Sequence, residues 1–132
     1  SSAASDVYKR QLKVRAKAVK DLVLKMKSNY QKRAEQAYTI HAEIERSPYP
    51  VLVCGDFNDT PASYTYHRTR EGLVDGFRDC GSGYQYTFRQ LYKLWRIDYV
   101  FYSGALKGYE CYSPETSYSD HNMVVWKGYL KN

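Results

Sequence analysis

No run of apolar residues approaches the roughly 20 needed to cross a bilayer, and no apolar stretch of leader type follows the N-terminus. A membrane-spanning helix and a secretory leader are therefore not expected, and the chain begins as though in the middle of a protein. Cysteine is scarce as well. Cys54, Cys80 and Cys111 cannot all pair within one chain, and no two are spaced as metal ligands. The expectation is free, buried thiols, with a Cys80–Cys111 disulfide as the alternative. Internal repeats, low-complexity tracts and interdomain linkers are also missing from the 132 residues. One domain with a real core fits that length.

What the chain does have is tyrosine, 15 of them, and an uneven charge. Residues 1–33 hold ten Lys or Arg against Asp6 and Asp21, a local net charge of +8, whereas the remainder has ten basic and twelve acidic residues, or −2. A basic helix can contact a phosphate backbone, but the spacing reads first as a solvated face. Leu12, Ala16, Val19, Val23 and Met26 recur at helical intervals within residues 6–27. A break is expected at Ser28-Asn29-Tyr30, then a second apolar stripe of Ala34, Ala37, Ile40 or His41, and Ile44. Ser47-Pro48-Tyr49-Pro50 ends that helix, since proline lacks the donor and keeps its predecessor out of helical space. Residues 1–47 thus read as helical and 50–130 as rich in strands.

Val51-Leu52-Val53-Cys54-Gly55 reads as a buried strand, followed at once by Asp56 and Asn58. Residues two apart on a strand point the same way, so both could serve one cleft; an Asx-turn is the plainer alternative. Thr60 and Pro61 suit the cap and first position of a short helix over 61–70, ended by Gly72. His67 on that helix reads as a surface histidine. Leu73–Phe77 fits a short strand or turn, Asp79–Tyr84 a loop and Tyr86-Thr87-Phe88 a strand edge. Ile97–Tyr102 is a clear strand of β-branched and aromatic residues, with Asp98 as its early carboxylate, which needs a donor or a charge partner. A weak strand over Leu106–Tyr112 and a last one over Met123–Trp126 follow, and Ser119-Asp120-His121 stands at the entrance to the last.

Asp56, Asn58, Asp98, Asp120 and His121 all lie at ends of expected strands, so one sheet would gather them. A carboxylate beside an imidazole fixes its tautomer and raises its basicity, as both acyl transfer and water activation require. A triad using Ser119 is disfavoured, because adjacent residues on an extended chain diverge and no nucleophile-elbow glycines surround it. Carboxylates without a cysteine or histidine cluster suit a hard divalent cation such as Mg²⁺ or Mn²⁺. Metal-assisted hydrolysis is the better match.

Gly55-Asp56-Phe57-Asn58-Asp59-Thr60-Pro61, Tyr86-Thr87-Phe88, Arg96-Ile97-Asp98-Tyr99-Val100-Phe101 and Ser119-Asp120-His121, in this order, resemble the endonuclease/exonuclease/phosphatase superfamily. The resemblance covers roughly residues 30–130 and matches the second half of that domain. It implies an α/β fold: half of a two-sheet sandwich, with a mixed, mostly antiparallel sheet and N-terminal helices packed on one face. It implies phosphoester hydrolysis by activated water with Mg²⁺ or Mn²⁺. Asp56 would contact the attacking water or the metal, Asn58 would hold the phosphate, and Asp98 would buttress His121, which would act at the phosphate. Asp120 would join Asp56 in binding the metal, while Arg96 and Tyr99 would pack or pair.

The family's first half supplies a metal-binding Glu and an Asn-x-His-like stretch that have no counterpart here; Glu35, Glu43 and Glu45 lie in the expected helix and are poor substitutes. A feebly active polypeptide with an exposed apolar sheet face is therefore expected, prone to form homo-oligomers. The substrate would be a phosphoester, with nucleic acid, lipid and small-molecule types all open. The alternative is a non-catalytic interaction domain that keeps the fold.

Overall fold

A computed structural model describes residues 2–90 and 93–132, without the side chains of Leu22 and Met26, so Met26 of the expected stripe lies outside the described residues. The elements run α1 (Ser2–Arg46), β1 (Leu52–Asp56), α2 (Tyr64–Arg70), β2 (Val74–Asp75), α3 (Gly76–Cys80), β3 (Asp98–Tyr102), β4 (Leu106–Tyr112) and β5 (Val125–Leu130). Two units are distinguished, Ser1–Glu35 and Gln36–Asn132.

The expected break at residues 28–30 does not occur: α1 is one helix of 45 residues. The reason is compositional. Neither Gly nor Pro occurs between Ser2 and Arg46, and Ser, Asn and Tyr each cost at most about 0.7 kcal/mol relative to Ala in a helix. In the first unit the stripe residues Leu12, Val19 and Val23 are exposed. In the second, Ala37 and His41 are buried, and Ile44 packs on the core.

Strand order in the larger sheet is β1-β3-β2, every pairing antiparallel, and β4 pairs with β5 in a second antiparallel sheet. Among the described residues the parallel component of the expected mixture is one isolated bridge, Gly81 to Cys111. Cross-strand partners share a face. Val53 opposite Phe101 and Gly55 opposite Tyr99 look toward the core, where Tyr66, Leu73, Tyr99 and Phe101 are buried together with Phe57 and Val53 against them. Their rings lie 5.0–5.6 Å apart between centroids. The remaining partners, Leu52 with Tyr102, Cys54 with Val100 and Asp56 with Asp98, form the opposite face.

That second face corrects the reading of β1 as a buried strand. Leu52 is 50% exposed, Cys54 and Asp56 on the same face are exposed too, and so is Gly55 on the other. β1 is an edge strand; of its partners on that face Val100 and Tyr102 are buried, Tyr102 with the Trp126 ring 4.7 Å away, and Asp98 is half-buried. Gly108 beneath that pair has no room for a side chain: a Cβ there would lie 2.7 Å from both Trp126 Nε1 and the Tyr102 hydroxyl. All three cysteines are free, and Cys54 is exposed where a buried thiol was expected.

Four local readings also change. α2 begins at Tyr64 with Ser63 as its cap, the Ser63 Oγ accepting the Tyr66 amide at 3.1 Å, while Thr60 and Pro61 form the turn before it. Gly72, at φ 77°, ends it as expected. α3 occupies a stretch read as strand, turn and loop, because Asp75 caps it by accepting the amides of Phe77 and Arg78. Within the expected strand edge at 86–88 only Phe88 bridges, to Trp95 and His121, and the last strand starts at Val125, beyond Met123.

Three tyrosines account for part of the unusual count. Tyr66, Tyr99 and Tyr102 are almost wholly buried, and each hydroxyl has a partner: Asp75, the Asp59 and Arg96 carbonyls, and Asp79 respectively. A tyrosine buries a large apolar ring at low cost only when its hydroxyl is so satisfied.

Candidate active site

The antiparallel register sets the C-terminal end of β1 against the start of β3, and so places Asp56 directly opposite Asp98. Like charges in that position repel, and the arrangement calls for a cation or a donor between them. His121 supplies one donor. Its Nδ1 lies 2.9 Å from Asp98 Oδ2, and its Nε2 lies 3.9 Å from Asp56 Oδ2. The first distance is a hydrogen bond in which the carboxylate accepts Nδ1–H. The second is too long for one and leaves Nε2 and the Asp56 carboxylate facing the same small volume.

Burial alone would make His121 harder to charge, but the Asp98 hydrogen bond and charge, with Asp56 and Asp120 adding to them, raise its pKa above the ordinary imidazole value. The ring is held by its backbone. The His121 amide donates to Ser119 Oγ at 3.1 Å, its carbonyl accepts the Thr116 hydroxyl at 3.0 Å, and Phe88 stands against the imidazole at 5.2 Å. Ser119 therefore serves the turn, and both imidazole nitrogens face carboxylates.

Asn58 realises the Asx-turn alternative. At φ 51° it adopts the left-handed conformation that Asn tolerates, and its amide donates to Asp56 Oδ1 at 2.8 Å. Asp120 is adjacent in sequence to His121 but looks into a neighbouring groove of about 490 Å³ lined by Arg89, Gln90, Lys93 and Tyr118, where its carboxylate lies 3.5 Å from Gln90 Nε2. A cavity of about 390 Å³ opens on the other side of His121, between Asp98, Cys54, Val100 and Met123.

Among the described residues, Asp56, Asp98 and His121 offer one ligand atom each within 4.8 Å of one another. Two carboxylates and one imidazole match the oxygen-rich, hard donor set of Mg²⁺ or Mn²⁺ better than that of a thiolate-seeking ion. The acidic cluster therefore fits a divalent cation. Of the sequence-expected residues, Asp56, Asp98 and His121 come together, Asn58 is tied to Asp56 through its backbone, and Asp120 borders the cluster.

Sequence reasoning missed the support beneath this cluster. Asp75, 3% exposed, accepts both guanidinium nitrogens of Arg96 at 2.9 and 2.8 Å and the Tyr66 hydroxyl at 2.6 Å. Burial opposes its ionisation, yet these Arg96 and Tyr66 hydrogen bonds hold its carboxyl below the usual range. Arg96 is paired with Asp75, and pairing is among the roles the resemblance implies for it. The only sequence signal for Asp75 is a carboxylate directly after the apolar pair Leu73-Val74. Asn122 and Thr87, both buried, link the His121 loop to the start of β3; Asn122 gave no signal, and Thr87 entered the sequence reading only within Tyr86-Thr87-Phe88, with no role of its own.

A family model described as the Endonuclease/Exonuclease/phosphatase family matches residues 26–121. No curated protein matches the chain. Among solved structures, the endonuclease/exonuclease/phosphatase from Bacteroides vulgatus is 26% identical with a TM-score of 0.67, covering 76% of this chain and 45% of that one. A Bacteroides thetaiotaomicron mannosyl-6-phosphatase is 19% identical, TM-score 0.63, covering 76% and 46%. A functionally unknown conserved protein from Enterococcus faecalis is 20% identical, TM-score 0.68, covering 77% and 46%. The chain thus spans less than half the length of these matched structures.

Proposed function

Because the chain belongs to the Endonuclease/Exonuclease/phosphatase family, we propose that it carries the His-bearing part of the active site of a phosphoesterase that needs Mg²⁺ or Mn²⁺ and uses activated water. The single observation that supports this is the alignment of Asp98, His121 and Asp56 at the paired ends of β1 and β3.

Each side chain then has a task that follows from its position. Asp98 accepts Nδ1–H and fixes the tautomer, so that Nε2 faces the substrate. The raised pKa keeps His121 protonated longer than a free imidazole, which suits it to donate to charge growing on a phosphoryl oxygen. Asp56, on the far side of the gap, is placed to orient a water and accept its proton. Asn58, just past Asp56 on an exposed turn, is the candidate to donate to a phosphate oxygen. Asp56 would hold the cation, with Asp120, although its carboxylate looks into the adjoining groove, as a proposed further ligand; the cation when bound neutralises phosphate charge and acidifies bound water.

Alone, the chain is expected to be feebly active. The resemblance assigns a metal-binding Glu and further phosphate donors to another segment of the domain, and one positioned donor can be worth about 10²–10³-fold in rate. The test is hydrolysis of an aryl phosphodiester and an aryl phosphomonoester with Mg²⁺ or Mn²⁺, by this chain and by a longer polypeptide that also carries a strand with a Glu and an Asn-x-His stretch. The longer protein should be active, and His121→Ala should abolish that activity. Equal rates for His121→Ala and the unaltered protein would end the proposal.

One observation favours a second reading, an interaction domain that keeps the fold: the matched structures are covered over only 45–46% of their length. That reading expects no response to Mg²⁺ and undiminished folding when Asp56 and His121 are replaced.

A further inference from the structure

Thr87 is fully buried, which keeps its hydroxyl from a phosphate, yet two of the three segments that carry the cluster, the start of β3 and the His121 loop, are bonded to it. Its Oγ1 accepts two amide N–H groups, from Ile97 at 2.9 Å and from Asp98 at 3.0 Å. Its own amide donates to the Trp95 carbonyl at 2.9 Å, and its carbonyl accepts the Asn122 amide at 2.6 Å. The residues after it continue the strap: the Phe88 amide also donates to Trp95, and the Arg89 amide to the Asp120 carbonyl at 2.8 Å. Residues 87–89 are thereby bonded to the start of β3 on one side and to the His121 loop on the other.

The need for a side-chain acceptor follows from the sheet. β2 pairs with β3 only opposite Phe101 and Tyr102, so the first amides of β3 must find partners outside the ladder. A buried amide without one is strongly disfavoured. A threonine suits this place because its branched Cβ restricts χ1, which holds the oxygen in one position. Asn122 reinforces the strap from the other direction, its Nδ2 donating to the Tyr86 carbonyl at 3.3 Å.

We propose that Thr87 is a positioning residue for the site: its hydroxyl oxygen orients the Ile97–Asp98 backbone so that the Asp98 carboxylate meets His121 Nδ1, and its carbonyl holds the His121 loop at the matching distance. The consequence for catalysis rests on the phosphoesterase reading, whereas the positioning itself does not. Thr87→Val keeps the shape and removes the acceptor; Thr87→Ser keeps the acceptor.

Amide hydrogen exchange and the imidazole ¹⁵N shifts of His121, read by NMR, test the assignment without any assay of activity. In the unaltered protein the Ile97 and Asp98 amides should be protected like the interior of β3. Thr87→Val should speed their exchange about tenfold or more relative to the rest of β3 and move the His121 Nδ1 signal toward that of a free imidazole. Thr87→Ser should restore both. Unchanged amides and imidazole in Thr87→Val, or a Thr87→Ser variant that behaves like Thr87→Val, would overturn the proposal. If Thr87→Val does not fold, the unaltered protein still decides, because exchange of these two amides at exposed-loop rates would overturn it equally. Should no longer polypeptide hydrolyse a phosphoester, the functional reading falls while the exchange result for Thr87 stands on its own.

Discussion

Replacing Arg96 by Met tests whether the network below the site supports the strand that carries Asp98. The Asp75 and Arg96 side chains are 1% and 10% exposed and meet through two parallel N–H···O bonds. Arg96→Met keeps most of the stem, but leaves a buried carboxylate with only the Tyr66 hydroxyl and the Phe77 and Arg78 amides as donors. Removing one partner of a buried pair costs about 3–5 kcal/mol. The guanidinium also lies 4.8 Å from the Tyr99 ring centroid, a contact of about 0.5–2 kcal/mol that overlaps with the first figure and does not add to it. Against a domain stability of about 5–15 kcal/mol the expected loss is large. Urea unfolding should show a lower midpoint at an unchanged slope, and Arg96→Lys should recover only part, because an ammonium cannot make the paired fork. A loss below about 1 kcal/mol, the value of a surface pair, would refute the reasoning.

The same network sets a pH dependence. Asp75 has a lower pKa folded than unfolded, so its contribution is complete above the unfolded value of about 3.9 and is lost as pH falls through the folded value; urea midpoints should drop in acid, and much less so in Asp75→Asn. Thiol labelling of the native protein should find Cys54 fast and Cys111 slow, since Cys54 is exposed while burial pushes the Cys111 thiol up to about 11; equal rates would contradict the burial described. Sedimentation at high micromolar concentration should show self-association, because Leu52 at the start of β1 and Met123 leave apolar surface exposed; a clean monomer that Leu52→Lys does not alter would count against it.

Much of the site was legible because its residues sit in local patterns. Asp56 follows an apolar run, Asp98 opens a strand of β-branched and aromatic residues, and His121 precedes another, so strand ends could be inferred without any knowledge of pairing. Local periodicity likewise marked both apolar stripes of α1 and the proline stop after it. The same local logic misplaced the break at residues 28–30, since a polar patch weakens a stripe without interrupting backbone hydrogen bonds. It also missed α3, whose five residues are too short for any periodicity and depend on the Asp75 cap.

The sequence by itself determined which chemical groups are present and the order in which strand ends deliver them, because alternation and turn residues act over a few neighbours. Only the tertiary structure decided that Asp56 stands opposite Asp98, that Arg96 reaches back 21 residues to Asp75, and that Thr87 ties the start of β3 to the His121 loop. Those choices come from antiparallel register and from the demand that buried charges and amides find partners, and neither is settled by residues adjacent in the chain.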